Sequence, residues 1–312
     1  MDLEVERAAI VGVGDVAMDI SRMLVRSYED LLQTDVADYS LDVFAKNKVR
    51  EILIIARRGP AQAAFATKEL MDIVELPGVE VILDPEHVRQ AQQEEGLDGL
   101  TRRKLDYLAS LAAKPRAGAA KTIRLWFLSS PVEILGDGGR VTAMKVERNA
   151  LVHGERGTQA VGTGEYETVP VGLVFRSVGY RGVPLEGVPF DERQGIIPNF
   201  EGRVLRDGQP WPNVYVAGWI KRGPSGVIGT NKSDAADTVN KMLEDIAGRA
   251  EPAAEHKSRA SIDALLANRG VRVITFDDWR KIDQFEVDTG RRLGRVRQKL
   301  TSVAAMLERL KS

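Results

Sequence analysis

The chain has 312 residues, long enough for two domains of ordinary size, each with its own core. Hydrophobic and charged residues make up 43% and 29%, net charge is −1 and no apolar stretch reaches bilayer length, so no bulk property points to nucleic acid or a membrane. With no cysteine there is no disulfide, redox dithiol or cysteine-ligated iron–sulfur cluster in these residues, and His87, His153 and His256 lack the spacing of a metal site or a catalytic triad.

Met1-Asp2-Leu3-Glu4 is acidic where a signal peptide is basic, and a cytoplasmic location is the expectation. Ala8-Ala9-Ile10-Val11 then reads as a short apolar strand. It is followed by Gly12-Val13-Gly14-Asp15-Val16-Ala17 and an amphipathic run with apolar residues at Ala17, Ile20, Met23 and Leu24. This is a Rossmann turn in its G-x-G-x-x-A form. Gly12 permits the tight turn, Gly14 lets a pyrophosphate approach, and Ala17 lets helix and strand pack closely. The pyrophosphate would rest on the helix N-terminus.

Asp35 falls where an NAD-type ribose acid is expected, but Gln33-Thr34-Asp35-Val36 reads as a cap before a helix over Val36 to Lys46, which makes Asp35 structural. The second strand is Ile52-Leu53-Ile54-Ile55-Ala56, and it ends on Arg57-Arg58-Gly59-Pro60. Two guanidiniums at the carboxyl end of a parallel strand are placed to fork onto a ribose 2′-phosphate, which indicates NADP; a solvated charge pair has the same composition.

Further strands are expected at Val79–Leu83, Ile123–Phe127 and Val141–Val146, with a helix around Leu105 to Ala113. Leu173 to Tyr180 is an apolar strand ending in glycine. The alternation predicts an α/β fold with a central parallel sheet. A basic cluster of Arg102, Arg103, Lys104, Lys114, Arg116, Lys121 and Arg124, set against Asp98 and Asp106, suits either an acidic protein partner or a solvated helix face.

Val214-Tyr215-Val216-Ala217 reads as a buried strand, Gly218 to Gly229 as a Gly/Pro-rich turn, and Asn231 to Ile246 as a helix. Glycines there let the backbone approach a planar ring, the helix's first turn offers unpaired N–H groups, and Trp219 can stack on the ring. An ordinary strand–turn–helix corner with a core Trp fits the same pattern. Residues 248 to 260 read as a linker, Val271-Arg272-Val273-Ile274 as a strand, and Thr301-Ser302 as the cap of a final helix.

The motif from Gly12 to Asp19, the run Arg57-Arg58-Gly59-Pro60-Ala61-Gln62-Ala63-Ala64-Phe65 with Lys68-Glu69-Leu70, Glu75-Leu76-Pro77-Gly78-Val79, and Gly218-Trp219-Ile220-Lys221-Arg222-Gly223-Pro224 closely resemble the adrenodoxin reductase family. So do Arg269-Gly270-Val271, Asp278-Trp279 and Ala305-Met306-Leu307. These are ferredoxin–NADP+ reductases of the glutathione-reductase-like fold. The resemblance implies that Gly14, Asp15 and Val16 hold the NADP pyrophosphate, Arg57 and Arg58 the 2′-phosphate, and Glu69 the neighbourhood of the ribose. Trp219, Gly226, Val227 and Ile228 would touch FAD. It also implies hydride transfer from NADPH to the flavin, then single electrons to a ferredoxin-type iron–sulfur protein, with no side chain needed as general base.

Two departures accompany it. The family carries Asn where this chain has Asp15, and an acid beside a pyrophosphate is repulsive unless its charge points away. The family also begins with a further G-x-G-x-x-G unit that cradles the FAD pyrophosphate and has no counterpart before residue 8. The expectation is therefore an NADP-binding domain over 1–180, Rossmann-like, and the C-terminal portion of an FAD-binding domain over 181–312, with the FAD pyrophosphate loop supplied by a second chain or absent. The alternatives are an NADP-binding module without flavin, or a remnant without reductase activity.

Overall fold

The computed structural model describes residues 1–113, 118–154, 157–226, 228–247 and 258–311, without the side chains of His153 and Ile228. Lys114, Arg116, Val227 and His256, and the expected linker from 248 to 257, lie outside the described residues. Met1–Val178 with Ile274–Ser312 make one compact unit, and Gly179–Val273 make a second. The last helices, from Ile274 onward, group with the first unit.

In the first unit the chain runs β1 (Arg7–Val11), α1 (Asp15–Val25), α2 (Tyr28–Leu32), α3 (Asp38–Phe44), β2 (Glu51–Ile55), α4 (Thr67–Val74), β3 (Val79–Leu83), α5 (Pro85–Gln92), α6 (Gly99–Ala112) and β4 (Lys121–Trp126). An antiparallel excursion follows, β5 (Ser129–Asp137), β6 (Arg140–Gly154) and β7 (Gly157–Pro170), before β8 (Leu173–Arg176). The parallel sheet has the order β3-β4-β2-β1-β8. β2 is apolar from Ile52 to Ile55 because both of its faces are covered there. Ile52 and Ile54 pack with Leu24, Leu70, Ile73, Leu105 and Leu108 of the helices, while Leu53 and Ile55 pack with Met144 and Val146 of β6.

The α/β expectation holds for this sheet but missed the three-stranded antiparallel sheet β5-β6-β7. Its first hairpin turns at Gly138 and Gly139, both at positive φ (54° and 77°), between the paired residues Asp137 and Arg140. A two-residue Gly-Gly loop has the twist that joins antiparallel strands tightly.

The second unit holds β9 (Asn199–Phe200), β10 (Arg203–Arg206) and β11 (Gln209–Tyr215) as an antiparallel sheet. These are followed by a single helical turn α7 (Trp219–Arg222), α8 (Ile228–Ile246) and α9 (Arg259–Asn268). Its buried core is small: Ile197, Val204 and Val216. The strand expected at Val271–Ile274 is not formed, because the segment lies between Gly270, at φ 67° after α9, and the Thr275 cap of α10 (Phe276–Arg292). Ser302 caps α11 (Val303–Arg309) by accepting from the Ala305 N–H at 3.1 Å, as the sequence suggests. The cap before α3 is Ala37 and not Asp35, whose carboxylate instead lies 2.8 Å from Lys299 Nζ.

Candidate nucleotide-binding sites

The glycine turn leaves β1 at its carboxyl end and enters α1 through Gly14, the N-cap residue, which has no side chain to satisfy the helix's first N–H groups. The two glycines are there for different reasons. At Gly12, φ is 117° and a Cβ would lie 2.0 Å from the Ser177 carbonyl oxygen, so the fold itself requires glycine. At Gly14, φ is −109° and a Cβ would meet nothing within 4 Å, so the protein's own packing gives no reason for glycine and the space in front is open. An open cradle over an uncapped helix N-terminus suits a phosphate.

Arg57 and Arg58 follow β2 at the same edge. Both are exposed, and among the described residues neither guanidinium has a hydrogen-bond or ion-pair partner. Their backbone, in contrast, is held: Asn149 Nδ2 donates to the Arg57 carbonyl at 2.9 Å, and the Leu128 N–H donates to the Arg58 carbonyl at 3.2 Å. Asn149 is buried in β6, so the antiparallel sheet anchors the arginine pair. No local sequence signal could have linked Asn149 to a site far upstream.

After the arginines the chain makes a 3-10 turn at Pro60–Gln62 and runs back along the glycine turn. Ala64 N–H donates to the Val13 carbonyl at 3.1 Å, and Ala66 N–H to Asp15 Oδ1 at 2.7 Å. The Asp15 carboxylate thus turns to the start of α4, where the helix dipole favours it, and is committed to a backbone N–H. That answers the repulsion expected of an acid in this position. Lys104 of α6 supports the loop from below, donating to the Ala63 carbonyl at 2.6 Å with its ammonium 5.1 Å from the centre of the Phe65 ring. Burial pushes the Lys104 ammonium below the usual lysine range, with Asp15 and Asp98 acting against that shift.

Glu69, expected near a ribose, stands in the first turn of α4 and pairs with Arg22 of α1 at 3.1 Å. The basic cluster does not form one face. Lys104 is committed to the loop, Lys121 Nζ donates to the Leu24 carbonyl at 2.8 Å, and Arg124 faces Glu51 at 3.5 Å. Among the described members only Arg102 and Arg103 of α6 face solvent freely, their Nε groups bonding their own helix start at Leu97 and Gly99. Two clefts of about 510 and 520 Å³ lie where the parallel sheet meets β6 and β7 and share Arg7 and Glu51; none of the expected nucleotide residues lines them.

In the second unit, Gly218 (φ 78°) opens α7, and Trp219 is 43% exposed, stacked on Tyr180 with ring centroids 5.8 Å apart. Nothing lies within 4 Å of a Cβ built on Gly218, whereas one on Gly226 (φ 78°) would lie 2.5 Å from Thr230 Oγ1. A solvent-facing aromatic pair beside open glycine backbone suits one side of a planar ring. Sequence reasoning missed the residue that holds this turn. Asp234, buried in α8, accepts from the Gly218 N–H at 2.5 Å and pairs with Lys221 at 3.1 Å and Arg222 at 3.5 Å. Burial raises its carboxyl, but the Gly218 N–H, Lys221 and Arg222 outweigh that and hold it below the usual range. A carboxylate in the second turn of a helix behind a glycine turn carrying Lys-Arg was the available signal.

No family model matches the chain. It is 42% identical over 315 residues to NADPH-ferredoxin reductase FprA of Mycobacterium tuberculosis, covering 98% of this chain and 68% of that protein. The chain belongs to the adrenodoxin reductase family. It is also 38% identical to mouse mitochondrial NADPH:adrenodoxin oxidoreductase, across 99% of its own length and 64% of that protein's. The solved structure of M. tuberculosis FprA in complex with NADPH superposes with a TM-score of 0.87 at 38% identity, covering all of this chain and 69% of FprA. The α/β fold with its five-stranded parallel sheet is thus that of FprA over part of FprA's length, and the chain spans about two thirds of its reductase relatives.

Proposed function

We propose that this chain provides the NADP-binding domain and part of the FAD-binding domain of a reductase that passes electrons from NADPH through FAD to a ferredoxin-type iron–sulfur protein. The observation that carries the reading is the Arg57–Arg58 pair, unpartnered at the guanidiniums yet pinned at the backbone, beside the open Gly14. Two exposed guanidiniums held at a fixed place, with no internal acid to neutralise them, suit a dianionic 2′-phosphate. The names of the relatives, NADPH-ferredoxin reductase and NADPH:adrenodoxin oxidoreductase, support the same coenzyme and acceptor class.

When bound, NADPH supplies a hydride, and FAD accepts it and releases electrons singly to the acceptor. The chain's own residues bind and orient. Gly14, Asp15 and Val16 present backbone N–H groups of the α1 start to the pyrophosphate, with Gly12 making the turn. Arg57 and Arg58 take the 2′-phosphate, and Glu69 lies at the ribose side, its charge shared with Arg22. Trp219 and Gly226 border the flavin, and Asp234 fixes the backbone from which Trp219 projects.

Titration calorimetry of the chain with NADP and NAD tests the assignment. Each charge-assisted hydrogen bond to the 2′-phosphate contributes on the order of 1.5–3 kcal/mol, so NADP should bind at least about tenfold tighter. Equal affinities would remove the coenzyme assignment. In the flavin-loaded protein, ferredoxin-dependent NADPH oxidation should respond to R57A/R58A through KM for NADPH, with kcat largely kept.

A further inference from the structure

We infer that Asp15 and Lys104 are positioning residues for coenzyme choice. They lock the loop that carries Arg57 and Arg58 against the glycine turn, so the pyrophosphate and 2′-phosphate sites are held as one rigid surface. The inference rests on the NADP reading above and adds to it which side chains set the preference without themselves contacting the 2′-phosphate.

The loop from Gly59 to Ala66 has no regular strand or α-helix of its own, and its shape depends on cross-links. Four are present. Ala64 N–H bonds the Val13 carbonyl, and Ala66 N–H bonds Asp15 Oδ1. Lys104 Nζ bonds the Ala63 carbonyl, and Gln62, whose Oε1 accepts from the Gly59 N–H at 3.1 Å, donates to Glu94 Oε2 at 2.8 Å. Asp15 is the only side chain among these that belongs to the glycine turn itself. Its carboxylate is spent on the loop, which explains how an acid sits beside the pyrophosphate position, and its place at the N-cap of α4 uses that helix's dipole as well.

Lys104 completes the lock from the opposite side. It is half-buried, its ammonium lies over the Phe65 ring, and Phe65 is itself 1% exposed, so the loop is drawn inward at Ala63 and Phe65 while Asp15 holds its far end at Ala66. Arg57 and Arg58 stand at the loop's near end, tied by Asn149 and Leu128. An arginine fork gains its affinity from being preorganised, and a 1 Å loosening of its support costs binding without removing any contact residue.

The test is the ratio of NADP to NAD affinity by titration calorimetry of the full chain, in wild type, D15L, D15N and K104M. D15L removes the acceptor and should lower the ratio about tenfold; loss of the charge beside the pyrophosphate can shift both affinities together, so the quotient and not either affinity is read. D15N keeps an acceptor oxygen for Ala66 and should keep the ratio within about threefold of wild type; removal of the charge can raise both affinities together but not their quotient. K104M should lower the ratio as D15L does, and the D15L/K104M double variant should fall short of the product of the two losses, as expected for a shared element. A cooperative thermal melt followed by circular dichroism verifies folding in each variant. A wild type that prefers NADP while D15L and K104M keep the full ratio overturns the inference alone. A D15N that loses the ratio as D15L does overturns it too, since charge and not the hydrogen bond would then be responsible. A wild type with equal affinities overturns the coenzyme assignment and this inference with it.

Discussion

The two units are held together by different physics. In Met1–Val178 with Ile274–Ser312, side chains such as Ile10, Met18, Leu24, Ile54, Phe65 and Phe127 are at or below 2% exposure on one face of the sheet, and Ala9, Leu53, Ile55 and Met144 are equally buried on the other. In Gly179–Val273 the buried apolar cluster is limited to Ile197, Val204 and Val216, and the linkages are charged. Arg203 forks onto Asp245 with two 2.8 Å bonds, Tyr215 donates to the same carboxylate, and Asp234 gathers Gly218, Lys221 and Arg222. Meanwhile α8 leaves Val239, Leu243 and Ile246 at 48%, 60% and 51% exposure, one stripe at helical spacing. A unit whose apolar side chains face outward draws its order from polar networks. Core truncation should therefore hurt the first unit most, and charge removal the second.

The largest expected effect comes from a cavity in the first unit. Ile54 is fully buried in β2, and Ile54→Ala should cost about 2–5 kcal/mol. Segment-resolved hydrogen exchange should show the loss across β1, β2 and β4, and a loss smaller than that of Val216→Ala in the second unit would reverse the comparison.

Asp234 is the corresponding weak point of the second unit. Asp234→Ala leaves two half-buried cations and the Gly218 N–H without their acceptor, and should cost about 2–3 kcal/mol, read as faster exchange over Gly218–Arg222. The pH dependence has a definite sign. The folded carboxyl titrates below its ordinary value of 3.8, so its contribution is complete above that value and is lost as the pH falls through the folded pKa. In acid titrations followed by tryptophan fluorescence, wild type should lead D234A above pH 3.8 and the gap should close below it; a gap that widens in acid would assign the stability to something other than the ionised carboxylate.

What the sequence made legible follows the same division. The continuous apolar run of β2, the G-x-G-x-x-A turn and the Arg57–Arg58 pair are local signals, and they fall in β2, between β1 and α1, and directly after β2. Of the β5-β6-β7 sheet only Val141–Val146 of β6 was legible, because exposed antiparallel strands such as β7 lack an apolar run. Asn149 and Lys104 were illegible as site residues, since each acts on backbone that only the tertiary fold brings near. The Val271–Ile274 run shows the converse. Strong strand propensity yields no strand where caps on both sides leave nothing to pair with.

The smallest effect is expected at the docking surface. An acidic ferredoxin would be steered by clustered positive charge, but Lys104 and Lys121 are engaged inside the fold and Arg124, though exposed, faces Glu51, which leaves Arg102 and Arg103 as the exposed cations without an acid partner among the described members of the cluster. Two exposed charges act over a Debye length of about 8–10 Å at ordinary ionic strength, so R102E/R103E should slow ferredoxin reduction by the flavin-loaded protein only several-fold. The loss should lie in the second-order rate and shrink as salt rises toward 1 M, while NADPH oxidation with a small neutral acceptor stays unchanged. Equal losses with both acceptors would mean that the substitutions disturb α6 and, through Lys104, the arginine loop. No loss with either would leave this helix face solvated and place the acceptor elsewhere on the protein.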